Sequence, residues 1–145
     1  MEKILLLFCL VTLLSCSKED TAPDDPVVAT WSHVKMIKTP LQGEPVVIEG
    51  NDCSKMETMT FKNNGKLEVA YYRYGENSEC IINETASGIY EWKKVSEGLY
   101  NLSRGGNTGT TYEVSFPNMN TLHMTVQLST ANVQWQSYTY VYQKL

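Results

Sequence analysis

The chain has 145 residues, a net charge of −4 and 42% apolar residues. Once a leader is set aside, that length accommodates one domain with one core and excludes a second. A weakly acidic chain without a basic cluster has no electrostatic footprint for nucleic acid or for anionic headgroups, so neither is expected as a partner.

Residues 1–15 contain Lys3 and a short apolar run from Ile4 to Leu14. A membrane span needs roughly 20 apolar residues, so the run suits the core of a secretory signal instead. It ends in Leu13-Leu14-Ser15-Cys16, which resembles the lipobox of bacterial lipoproteins. The resemblance implies cleavage before Cys16, acyl chains such as palmitate on that cysteine, and an outer-membrane anchor supplied by lipid. Acyl chains contribute about 0.8 kcal/mol per buried methylene, and stable anchoring takes about two of them.

Residues 16–27 carry acids, two prolines and no large apolar residue before Val27, which reads as a flexible tether behind the lipidated cysteine. Ser17-Lys18-Glu19-Asp20 resembles the export signal that sends lipoproteins of the Bacteroidetes to the cell surface. An ordinary solvated linker, with the protein facing the periplasm, is the alternative. Asp20-Thr21-Ala22 resembles the short O-glycosylation site of the same group. Of the four cysteines, Cys9 leaves with the signal and Cys16 takes the lipid. Cys53 and Cys80 remain in an exported domain and are expected to form a disulfide.

From Val28 onward short β-type runs alternate with turn residues, and no stretch sustains a helical period, so residues 28–145 are expected to form an all-β domain. The first run, Val28 to Ile37, carries Trp31. Residues 39–51 read as a long loop with room for a short strand at Val46-Val47-Ile48. Residues 57–62 and 66–72 flank Asn63-Asn64-Gly65, whose Asn-Gly step tolerates positive φ and predicts a hairpin. Met59, Phe61, Leu67, Val69 and Tyr71 share one alternation across it and are expected on a common inward face.

Gly75 to Ser78 breaks that pattern, and Cys80 opens the next strand. Ser96-Glu97-Gly98 joins the runs 87–95 and 99–104, residues 105–109 turn into the run 110–116, and Pro117-Asn118-Met119-Asn120 reads as a further turn. Leu122, Met124, Val126 and Leu128 then alternate with polar residues. The last run, Val133 to Gln143, holds Trp135 on one parity and Tyr138, Tyr140 and Tyr142 on the other. Such a meander predicts a single up-and-down antiparallel β-barrel of about eight strands, because closure removes the edges an open meander exposes.

Several of these features occur together: Trp31 early in the first strand, Cys53 followed by a strand ending in Phe61-Lys62-Asn63-Asn64-Gly65, Cys80 ahead of Gly88-Ile89-Tyr90-Glu91-Trp92, and Leu99-Tyr100-Asn101-Leu102. In this combination they resemble the lipocalin-like domains of Bacteroidetes lipoproteins. Lipocalins proper carry Gly-x-Trp where this chain has Ala29-Thr30-Trp31, and the sequence does not place the arginine that packs on that tryptophan in the larger family. The resemblance implies an eight-stranded barrel whose mouth or interior holds a small, mainly apolar ligand.

The inward residues singled out for ligand contact are Phe61, Val69, Tyr71, Tyr90, Trp92, Leu122 and Met124. The same side chains would fill the centre of a closed barrel, since eight strands lie near the limit between the two. Nine tyrosines and three tryptophans leave three uses open. They line a cavity, they form an outer platform for glycan or protein with Tyr72, Trp135 and Tyr140 as candidates, or they are ordinary strand formers.

Catalytic signals are sparse. The domain from residue 28 contains only His33 and His123, with Asp52 as its one aspartate, so a Ser-His-Asp relay has almost nothing to draw on. Glu76, Asn77 and Glu79 lack the spacing of a calcium loop and read as a solvated acidic turn. A non-enzymatic monomer without cofactor or metal is expected.

Overall fold

The β-type runs fold as strands joined mainly by tight turns. The computed structural model describes residues 25–128 and 134–145. In chain order these form β1 (Thr30–Pro40), β2 (Val46–Glu49), a 3₁₀ turn (Ser54–Met56), β3 (Thr58–Phe61), β4 (Lys66–Ala70), β5 (Tyr72–Tyr74), β6 (Cys80–Ile82), β7 (Gly88–Ser96), β8 (Leu99–Ser103), β9 (Thr110–Asn118), β10 (Thr121–Gln127) and β11 (Trp135–Lys144). The leader, Cys16, the motifs between residues 17 and 22, and Val133 lie outside the described residues.

Turn chemistry fixes the register. Lys62 N–H donates to the Lys66 carbonyl at 2.9 Å, and Gly65 takes φ +77°, the left-handed conformation that its lack of a Cβ makes available. This pairs Met59 with Val69 and Phe61 with Leu67, and all four are buried. One expected turn differs. β9 runs through Pro117 to Asn118 and the chain reverses at Met119-Asn120, where the Asn118 side chain accepts the Asn120 N–H at 2.9 Å. Proline is tolerated at such a strand end, where the β9–β10 ladder is already irregular.

Eight antiparallel strands close on themselves in the order β1-β3-β4-β7-β8-β9-β10-β11, with β11 returning to β1. β2 pairs with the upper part of β1, and β5–β6 forms a separate hairpin beside the barrel. Tyr71 interrupts the ladder between β4 and β5. Buried Ser87 bridges the gap there, its hydroxyl accepting the Tyr71 N–H at 2.8 Å and donating to the Tyr71 carbonyl at 3.2 Å. Thr58, Thr60, Glu68, Glu91, Lys93, Thr111 and Glu113 alternate with the inward side chains and face out. That is the reverse of a membrane-spanning barrel, which turns its apolar side chains toward lipid.

One end of the barrel is packed solid. Trp31, Phe61, Leu67, Tyr100, Val114 and Leu122 are buried there with Trp92 and Phe116 against them, and Trp92 meets Phe61 edge to face with centroids 5.8 Å apart. Val27 is completely buried in this cluster, and its carbonyl accepts the Trp31 indole N–H at 2.8 Å. The boundary expected between tether and domain at residue 28 is therefore too late. Residues 25–27 belong to the fold, because a valine side chain is the plug that this end requires. The same correction gives the fold a second aspartate, Asp25, beside Asp52.

Candidate functional site

The other end is open. A β-bulge lies between His33 and Lys35, so the inward parity of β1 passes from Trp31 and His33 to Met36. The pairings of β11 with β10 and β1 set Tyr142 beside Leu122 and His33, and Tyr140 beside Met124 and Met36. The tyrosine row thus shares the inner face. Tyr140 is consequently an inner residue and not part of an outer platform. Tyr72 and Trp135 are half buried on separate elements, β5 and the start of β11.

These side chains surround a cavity of about 420 Å³. Met36, Met59, Met124 and Leu102 give it an apolar wall, and Tyr71, Tyr112, Tyr140 and Tyr142 add phenol rings. Ile48 and Glu49 of β2, then Gly50, Asn51, Ser54 and Glu57, complete the side toward the mouth, with His33 deeper on β1. Of the seven residues expected to contact ligand, Tyr71 and Met124 are in this wall. Phe61, Trp92 and Leu122 lie in the packed end. Val69 is buried core, and Tyr90 is half buried, its hydroxyl donating to the Ala86 carbonyl at 2.7 Å. The interior is therefore divided: filled below and open above.

The rim is held by covalent and backbone constraints. Cys53 and Cys80 are joined, with Cα atoms 5.1 Å apart, which ties the 3₁₀ turn to the β5–β6 hairpin. Gly50 donates its N–H to the Val34 carbonyl at 2.8 Å. A Cβ at that position would stand 2.5 Å from the same oxygen, so only glycine allows the approach. Asn51 caps the turn by accepting the Ser54 N–H at 2.8 Å.

Electrostatically the cavity is acidic and otherwise neutral. Burial pushes the Glu57 carboxyl up to about 7, opposed by a backbone hydrogen bond at Tyr72. Burial raises the phenols of Tyr71, Tyr112, Tyr140 and Tyr142, which keeps them protonated. His33 is lowered by burial against backbone groups of Lys35 and Ser54, and its buried Nδ1 has no hydrogen-bond partner among the described residues. A neutral imidazole suits that setting. His123, lowered by burial and then by Lys35, sits on the outer face.

Among the described residues no group of three histidines, cysteines or acids is placed to hold a metal ion. In the acidic turn, Glu79 uses its carboxylate on the Asn77 N–H at 2.9 Å. At the packed end, Lys144 Nζ stands 5.9 Å from the Trp31 ring centroid.

The chain matches no family model, and no curated protein or solved structure matches it at a level that shows kinship.

Proposed function

We propose that this chain is a lipocalin-like lipoprotein, tethered to the outer membrane through acylated Cys16 and exposed at the cell surface, whose barrel binds a small, largely apolar ligand without transforming it. The observation that carries the reading is the cavity of about 420 Å³ walled by thioether, aliphatic and phenol groups. Small-molecule sites have volumes of about 300–1,000 Å³, mainly apolar walls and a few polar groups that set orientation. Methionines adapt to the shape of an occupant, and each tyrosine adds apolar area with a hydroxyl at its tip. The cation on Trp31 supports the lipocalin-like part, and Leu13-Leu14-Ser15-Cys16 supports the anchor. The glycan-platform alternative has less support, since Tyr140 turns inward.

The test is fluorescence of a neutral apolar dye, N-phenyl-1-naphthylamine, with 1-octanol as competitor. Wild type is expected to enhance the dye and release it to octanol. Leu102→Trp, which fills the cavity from β8, is expected to abolish both while the barrel still unfolds cooperatively. Equal dye binding by the filled variant would refute the cavity as the site.

A further inference from the structure

We infer that the ligand carries a positive charge on its apolar body, as an alkyl or aryl amine or a quaternary ammonium does, with Glu57 as counter-ion inside a ring of phenols. This rests on the reading of the cavity as a ligand site and names the chemistry of its occupant.

Two observations point the same way. First, the wall holds two carboxylates, Glu57 and Glu49, and neither lysine nor arginine is in it. The described ion pairs engage Glu68, Glu91, Asp25 and Glu97 but not Glu57. The backbone hydrogen bond at Tyr72 offsets only part of the desolvation of this half-buried carboxylate, and a ligand cation would supply the missing partner.

Second, Glu57 is flanked by rings. Tyr71, Tyr112, Tyr140 and Tyr142 share the cavity wall with it. The face of an aromatic ring is its negative side, so each ring that turns its face to the cavity adds to the attraction a cation meets there.

Lys38, two residues beyond Met36 on β1, lies 5.5 Å from the ring centroids of both Trp135 and Tyr138 and is not part of the cavity wall.

The titratable groups sharing the wall with Glu57 are His33 on β1, Glu49 on β2, Tyr71 after β4, Tyr112 on β9, and Tyr140 and Tyr142 on β11. Burial favours the neutral form of the phenols and of the imidazole. With Glu57 near 7, a bound cation stabilises the ionised carboxylate. Cation binding therefore strengthens as the pH rises through neutrality and displaces a proton.

The experiment compares octyltrimethylammonium, 1-octanol and octanoate by calorimetry at pH 6 and pH 8, on wild type and Glu57→Gln. The three share one chain, and the trimethylammonium charge does not titrate. At pH 8 the ammonium is expected to bind about tenfold or more tighter than octanoate, the magnitude that a desolvated cation–π contact and a counter-ion permit. Its affinity falls at pH 6 in wild type and stays level in Glu57→Gln. Octanol binding with equal or better binding of octanoate would overturn the charge assignment alone. An ammonium preference that survives Glu57→Gln would overturn Glu57 as its counter-ion. Binding of none of the three would overturn the cavity reading itself.

Discussion

The Tyr100 hydroxyl donates to Asp25 Oδ1 at 2.6 Å, and the same oxygen accepts the Val27 N–H at 3.1 Å. These two bonds hold the segment before β1 across the packed end of the barrel, with Lys94 adding an ion pair to Asp25 at 3.6 Å. Val27 is completely buried, so Val27→Ala is expected to cost about 1–2 kcal/mol through lost burial and a small cavity. Tyr100→Phe is expected to cost about 1 kcal/mol or somewhat more, because it removes a hydrogen bond to a charged oxygen and leaves that oxygen the Val27 N–H alone. Urea unfolding measures both. Unchanged midpoints would mean that residues 25–27 are not part of the folded unit.

The disulfide joins cysteines 27 positions apart in sequence, one at the rim and one in the side hairpin. Its removal by Cys53→Ala with Cys80→Ala is expected to cost roughly 3 kcal/mol on the chain-entropy view. Octanol affinity is expected to fall as well, because the stretch from Gly50 to Glu57 contributes to the cavity wall. Calorimetric unfolding and octanol titration separate the effects. Full stability without the bridge would show that the packed end alone fixes the rim.

The barrel was legible because alternation and turn residues are local signals. Asn64-Gly65 and Glu97-Gly98 place their turns, and Met59, Phe61, Leu67 and Val69 are inward as their spacing requires. The division of the interior was not legible. It depends on the β1 bulge between His33 and Lys35, which no residue type announces. It also depends on which pairing of β11 sets Tyr140 beside Met124. Glu57 was missed because it sits just ahead of β3, where one inward glutamate looks like any solvated strand end. The inward row Met59-Phe61 continued back by two residues would have reached it. The polar composition around Val27 reads as tether, and only the packing of Trp31 reveals its place.

Glu57 makes stability depend on pH in an unusual direction. Its carboxyl lies near 4.5 when unperturbed and about 7 in the fold, so the folded state binds its proton more tightly than the unfolded state does. The associated stabilisation is present below about pH 4.5 and is lost as the pH rises toward 7. Glu57→Gln is expected to remove this loss and to melt higher than wild type at pH 8, with the difference shrinking toward pH 5. Melting curves across that range decide it. A variant that melts lower than wild type at pH 8 would show that the ionised carboxylate has a stabilising partner.

The anchor is tested at Cys16. Cys16→Ala is expected to move the protein out of the membrane fraction or leave its signal uncleaved, whereas mass spectrometry of the native chain is expected to find an N-terminus at an acylated Cys16. An unchanged membrane fraction together with a different N-terminus would contradict lipid tethering.

Ligand binding inside the barrel is tested most directly at its methionines. Met36, Met59 and Met124 line the cavity, whereas Met56 and Met119 are exposed. In a protein carrying carbon-13 methionine methyl groups, titration with 1-octanol is expected to shift the resonances of Met36, Met59 and Met124 together, with one common affinity, and to leave Met56 and Met119 in place. Shifts confined to the two exposed methyls, or no saturable shift at any methionine, would contradict a ligand site within the barrel.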